Sequence, residues 1–232
     1  MPETPPANSE ESVFCAGGHA YESKDSSYFA GARRDYVSEL PASASAKILE
    51  VGCGRGGTGA LALSEKKCGA YYGVELCRDA AEAAVQRLTE VVVGDVEQLD
   101  LPWEPETFDA VILSEVLEHL ADPWATLKKL RVVLKSGGRV FASSPNVAHY
   151  RVVAMLLRGD WALTDFGLMD RTHLRWFTPT TYRRMFDSCG YRVDAVREHQ
   201  PLSRKAQAVS ALTFGQFRHL FIRQIDLRAH CG

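Results

Sequence analysis

The sequence predicts an α/β fold: a doubly wound, mostly parallel sheet of seven strands, with a lid inserted after the fifth and an antiparallel C-terminal edge strand. Three observations carry this. Five short apolar runs recur, at residues 47–51, 71–75, 91–95, 108–113 and 139–143, with helix-patterned segments between them. Strands alternating with helices in this way read as parallel βαβ units. The first run stops abruptly in glycines, Gly52 to Gly59, a tight turn opening a helix. After Pro145 the rhythm breaks into a long aromatic and polar stretch.

Residues 1–12 are rich in Pro, Glu and Ser and read as a disordered tail, leaving 13–232 as one domain. Tyr28 to Leu40 is aromatic and basic, a helix ended by Pro41. Lys47 to Val51 is the first buried strand, and Thr58 to Lys67 carries the Ala/Leu periodicity of a helix. Tyr71 to Glu75 is the second strand, and Asp79 is a good N-cap for a helix over Ala80 to Leu88. Val91 to Asp95 and Phe108 to Leu113 follow as strands three and four. A helix from Pro123 to Leu134 closes on Ser136-Gly137-Gly138, and Arg139 to Ser143 is the fifth strand. The insertion, about 145–178, falls where such sheets bind ligands and includes a helical run, Tyr150 to Leu157. Thr180 to Cys189 is an amphipathic helix stopped by Gly190. Tyr191 to Glu198 is a strand, Lys205 to Leu220 a helix, and Phe221 to Arg228 the last strand, the two strands pairing as an antiparallel border.

Composition removes several function classes. The 232 residues are 46% hydrophobic and 24% charged, so the chain can bury a large core without disulfides or a structural metal. A net charge of -2 gives no global basic field for nucleic acid. Six scattered cysteines without a C-x-x-C pair, and no secretory leader, point to reduced thiols in a cytoplasmic protein. No apolar run approaches the ~20 residues of a membrane span. No His/Cys/Asp group has metal-ligand spacing, so no metal is expected; the alternative is Asp165, Asp170 and His173 meeting around a divalent ion.

The turn after strand one is where an open α/β sheet binds a nucleotide. Gly52, Cys53 and Gly54 let the backbone approach a ligand closely. Glycines alone leave a nicotinamide site open, since both kinds of nucleotide fold use them there. Two acids separate the alternatives. Glu50 sits inside the end of strand one, placed to meet a cationic amino-acid group rather than a pyrophosphate. Glu75 ends strand two, placed to accept hydrogen bonds from ribose hydroxyls.

Glu50-x-Gly52-x-Gly54-x-Gly56, Glu75, Gly94-Asp95 and Phe108-Asp109-x-Val111 followed by Glu118-His119-Leu120 resemble the successive motifs of class I S-adenosylmethionine-dependent methyltransferases. The resemblance covers about Tyr28 to Arg228. It implies a Rossmann-like fold with S-adenosyl-L-methionine as cofactor. The glycine turn then holds the methionine part, and Glu75, with Leu76 beside it, the ribose. Asp95 faces the adenine amino group, Val96 packs by the ring, and Ser114 and Glu115 line the methionyl side. Tyr28 would approach the sulfonium by cation–π attraction and Arg33 the carboxylate. Ser144-Pro145-Asn146-Val147-x-His149 and Gly167 to Thr178 resemble a narrower, MetW-like bacterial branch, often associated with glycosyltransferases. That implies a small-molecule acceptor, a saccharide or natural-product intermediate, methylated on oxygen or nitrogen.

Methyl transfer is an in-line displacement in which positioning supplies much of the rate. A hydroxyl acceptor also needs a base within hydrogen-bond reach. His173, His149 and His119 are the first candidates, with Glu115, Asp165 and Asp170 as carboxylate alternatives; an imidazole near its ordinary pKa suits the task at neutral pH. Each has a structural reading too: His119 in local packing, His173 in a polar network with Asp170 and Arg171. A second function stays open, a cofactor-binding regulatory module without turnover. The acceptor, and whether the protein is monomer or homodimer, are not legible in the sequence.

Overall fold

The computed structural model describes residues 31–199 and 202–232. Seven strands form one sheet: β1 Lys47–Val51, β2 Ala70–Glu75, β3 Glu90–Val93, β4 Phe108–Ser114, β5 Leu134–Pro145, β6 Tyr191–Glu198 and β7 Gln224–Cys231. Their order in space is β3-β2-β1-β4-β5-β7-β6. Neighbours from β3 through β5 are parallel, and β7 runs antiparallel to both β5 and β6. The chain walks outward from β1 to β3 and then returns to β4 on the other side of β1. That reversal opens a crevice at the carboxyl ends of β1 and β4.

The helices are α1 Arg34–Glu39, α2 Gly57–Ser64, α3 Arg78–Val85, α4 Pro123–Val133, α5 Tyr150–Leu156, α6 Pro179–Ser188 and α7 Arg204–Leu212. They cover both faces because side chains alternate along each strand. Leu49, Val51, Val111 and Leu113 pack into one apolar layer with Leu127 and Leu130 of α4 and Phe186 of α6. Ile48, Ala110, Ile112 and Phe141 face the other, against Tyr36, Ala62 and Ala84 from α1, α2 and α3. Local signals set two helix starts. The Asp122 carboxylate accepts the Ala125 N–H with Pro123 in the first turn of α4, and Thr178 and Thr181 form a reciprocal cap on α6.

Four expectations are corrected in detail. Helix α3 is capped by Cys77, not Asp79, because the Cys77 N–H is drawn to the Glu75 carboxylate and the helix starts early; Asp79 lies in its first turn. Ser136-Gly137-Gly138 belongs to the start of β5, since Leu134 already pairs with Phe108 before a register shift. The helix expected to reach Leu220 ends at Leu212, where Phe214 and Gly215 take positive φ and a 3₁₀ turn, Arg218–Phe221, follows. Strand β7 therefore begins at Gln224, and it slots between β5 and β6, leaving β6 outermost. The expected tail, residues 1–12, lies outside the described residues.

The insertion is a closed excursion. Asn146 bridges to Phe177 and the Val147 N–H donates to the Phe177 carbonyl at 2.9 Å, so the segment leaves and rejoins the sheet at one point. Asn146 is buried, its amide donating to the carbonyls of His219 and Ile222. Among the described residues no helix is long and apolar enough to cross a membrane.

Candidate active site

Glu50 shares its face of β1 with Ile48, and Tyr71 pairs beside Ile48 in the parallel register. The Tyr71 hydroxyl therefore reaches the Glu50 carboxylate, donating at 2.9 Å. Glu50 is buried, and that burial pushes its pKa up to about 8, against the pull of hydrogen bonds from Tyr71 and Thr58 and the positive charge of Arg33. Gly52 has φ of +69°, and a Cβ there would sit 2.7 Å from Val116 Cγ2. Only glycine supplies both the left-handed turn and the space. At Gly59 a Cβ would fall 2.4 Å from the Tyr71 ring, so this glycine lets α2 lie close to the sheet.

The loop is tied to β2. Glu75 accepts the Gly54 N–H at 2.7 Å on one carboxylate oxygen and the Cys77 N–H at 2.9 Å on the other. Burial raises its pKa, while the N–H groups of Cys77, Gly54 and Leu76 favour the charge. Leu76 is half-buried beside it, and the buried thiol of Cys53 lies under Gly73. Asp95 follows β3 and accepts the Glu97 N–H at 2.8 Å; Val96 is buried in the core layer shared with Leu120 and Leu127.

On the β4 side, Arg33 enters the crevice from above α1. It donates to Ser114 Oγ at 2.6 Å and Ser143 Oγ at 2.9 Å, and pairs with Asp35 at 2.6 Å. Its guanidinium lies 3.6 Å over the Tyr36 ring and 3.6 Å from Asp226. Glu115 takes φ of +55°, rare for a residue with a Cβ, and accepts a hydrogen bond from Gln224 Nε2 at 2.7 Å. Burial raises its pKa. Glu115 also walls a cleft of about 430 Å³ with Pro145, Tyr150, Leu168, His199 and Arg223.

The three histidines separate. His149 is the N-cap of α5, its Nδ1 accepting the Arg151 N–H at 3.4 Å, and burial with nearby Arg151 and Arg223 lowers its pKa. His119 and His173 come together, rings 4.8 Å apart and edge to face. The Nδ1 of His119 lies 3.2 Å from the Thr172 carbonyl, and the His173 ring packs 5.4 Å from Trp176. Asp165 pairs with Arg171 at the surface, while buried Asp170 accepts from Thr172. Tyr28 lies outside the described residues. Sequence reasoning missed Tyr71, Thr58, Asp35, Ser143, His199, Gln224 and Asp226. Tyr71 alone had a signal, the alternation that puts it on the Glu50 face.

The pattern built so far is a glycine turn, an acid within β1, a second acid ending β2, and an open cleft past β4. A family model described as a methyltransferase domain matches residues 24–196. This chain belongs to that methyltransferase-domain family. A ubiquinone biosynthesis O-methyltransferase of Chromobacterium violaceum is 30% identical over 164 residues, covering 68% of this chain and 69% of the relative. One of Aeromonas salmonicida is 26% identical over 153 residues, 63% of each chain. The chain thus spans less than two thirds of the Aeromonas protein's length. A solved S-adenosylmethionine-dependent methyltransferase from Archaeoglobus fulgidus superposes with a TM-score of 0.61 at 19% identity, covering 85% of this chain and 90% of that one. That likeness supports the fold.

S-adenosyl-L-methionine is the cofactor this methyltransferase family implies, and the residues fit it. The turn at Gly52 is a cradle that a Cβ would fill, with buried Glu50 entering it from β1 and buried Glu75 holding it at Gly54.

Proposed function

We propose that this methyltransferase-domain chain moves a methyl group from S-adenosylmethionine to an oxygen or nitrogen of a small molecule, a saccharide or natural-product intermediate. The observation that carries it is the cleft at Glu115, one residue past Ser114 at the carboxyl end of β4. Its volume, about 430 Å³, is that of a small-molecule site. The relatives' printed names favour oxygen and are not specifically MetW-like; the saccharide or secondary metabolite rests on the sequence resemblance of Ser144 to His149 and Gly167 to Thr178 alone.

In this reading Glu50 holds the cofactor's ammonium, Glu75 its ribose, and Asp95 the adenine amino group. Arg33 and Ser114 border the methionyl end. The bound cofactor supplies an electrophilic methyl group; the chain positions the acceptor in line and manages its proton. In this reading Glu115 in the cleft wall takes a hydroxyl proton, and His173, beside His119, is the alternative. His149 serves as a cap whose lowered pKa keeps it neutral.

Calorimetry with S-adenosylmethionine and S-adenosylhomocysteine tests the cofactor half; binding should be tighter than about 1 mM, or ~4 kcal/mol. Methyl transfer to a panel of hydroxylated and amino acceptors, followed by mass spectrometry, tests the rest. Absent cofactor binding overturns the reading, and binding with no transfer to any acceptor favours the regulatory module.

A further inference from the structure

We infer that the acceptor is an acid, its carboxylate or phosphate group held by Arg223 in the cleft that Glu115 walls. This deepens the proposed function and rests on it for one point, that the acceptor sits in this cleft.

Arg223 immediately precedes β7. Its carbonyl accepts the Asn146 N–H at 3.1 Å, which fixes its backbone at the root of the inserted segment. The side chain is exposed and lines the cleft beside Gln224, Tyr150 and Leu168. The turn at Gly167, with φ of +84°, passes close by: Nη2 lies 4.0 Å from where a Cβ on that glycine would stand. Other arginines of this half of the protein are occupied. Arg33 pairs with Asp35, Arg218 with Glu198, and Arg228 with Glu39 and Asp226. Arg131 and Arg183 brace backbone carbonyls. Among the described residues the Arg223 guanidinium has neither an ion pair nor a hydrogen bond.

Nothing in the cleft wall balances its charge. The wall holds a single carboxylate, that of Glu115. Although burial raises the pKa of Glu115, Gln224 donates to it at 2.7 Å, and Arg33 and His199 stand near enough to favour its charge. Glu115 and Arg223 are not an ion pair, so one ligand can offer a hydroxyl to the first and an acid to the second. His149 feels the same excess: burial first, then Arg151 and Arg223, lower its pKa. The first turn of α7 adds to it. Ser203 and Ala206 line the cleft, Arg204 and Lys205 are exposed beside them, and the turn contains no acid. Cations at the positive end of a helix are unfavourable on their own.

An acidic group on the ligand answers all of these charges together. A guanidinium offers carboxylate or phosphate two parallel N–H donors, whereas a cationic acceptor would meet repulsion. Between the polar groups the wall is apolar, with the Tyr150 and Phe221 rings 6.1 Å apart, so small acids with a phenyl body are suitable probes.

The test titrates the full chain, saturated with S-adenosylhomocysteine, with benzoate, phenyl phosphate and neutral benzamide, followed by ligand-observed NMR. At least one acid should bind ~tenfold or more tightly than benzamide, and the stronger acid distinguishes carboxylate from phosphate. Arg223→Gln should bring that acid to the level of benzamide with S-adenosylhomocysteine affinity unchanged. Arg184→Gln, at an exposed position on α6, should keep the preference. Acids binding no better than benzamide, no acid binding up to about 10 mM, or a preference that survives Arg223→Gln overturns the assignment. The wild-type comparison needs no variant, so a folding defect in Arg223→Gln leaves the test decisive. Acid binding without methyl transfer to any acceptor would count against the transfer reading alone; transfer confined to neutral acceptors would count against this assignment alone.

Discussion

Glu50 ties cofactor affinity to pH. In the free protein its buried carboxyl titrates at about 8, with Tyr71 as donor at 2.9 Å. An ammonium group binding beside it requires the carboxylate form. At pH 6 a group titrating near 8 is about 99% protonated, so ionising it costs ~2.7 kcal/mol. Affinity should weaken roughly tenfold from pH 7 to pH 6, and roughly twentyfold from pH 8 to pH 6. The cofactor's own α-amino group, ordinarily near 7.7–8.0, is charged at pH 6 and 7 but loses its proton toward pH 8, so the slope is full below pH 7 and flattens above it. About one proton should be released per cofactor bound at pH 6. Calorimetry in buffers of different ionisation enthalpy counts that proton directly. Glu50→Gln should abolish both the slope and the release. Pairing at Glu50 is wrong if wild-type binding is flat between pH 6 and 8 with no proton released. The free protein carries the complementary signature. A raised acid pKa stabilises the fold fully below about 4.5, and that stability is lost as pH rises through about 8. Urea unfolding of Glu50→Gln should lack this decline.

Other expectations follow from the same geometry. Glu75→Gln leaves one buried N–H, of Gly54 or Cys77, without an acceptor, costing ~1–3 kcal/mol of stability, and cofactor affinity should drop at least ~tenfold by calorimetry. Gly52→Ala combines positive φ with a contact to Val116, so urea unfolding should show a loss of at least ~1 kcal/mol together with weaker cofactor binding. His149→Ala removes the α5 cap and should cost about 0.5–2 kcal/mol while leaving cofactor affinity within twofold; a large affinity loss would make His149 part of the site. Glu115→Gln should keep cofactor binding and lower methyl transfer to a hydroxyl acceptor by about 10²–10⁴-fold; unchanged turnover would remove it as base.

The half of the fold from β1 to β5 is legible because each unit announces itself locally. Apolar runs such as Lys47–Val51 are too short for helices and stop in turn residues, and Glu50 and Glu75 stand at positions whose chemistry is set by the strand end. The rest depends on contacts distant in sequence. Nothing near Gln224 says that β7 lies between β5 and β6. Asp79 is a sound cap on propensity, yet the Glu75 carboxylate captures the Cys77 N–H and moves the helix start. The distant partners of Arg33, Ser114, Ser143 and Asp226, come from three other parts of the chain, and only Asp35 is its neighbour in sequence. Likewise His119 meets His173 only because the inserted segment folds back onto the turn after β4.

The bridge between Asn146 and Phe177 has a bearing on how such a chain can change. Because the excursion departs and returns at adjacent backbone points, the length of its exposed middle has no bearing on the register of the sheet. Doubling a loop costs only ~0.6 kcal/mol in closure entropy. The excursion's exposed stretch, residues 156–167, can therefore be lengthened, trimmed or exchanged under selection separate from the glycine turn. Divergence among relatives should concentrate between those two anchors, with new acceptor preferences arising there while the nucleotide half stays still.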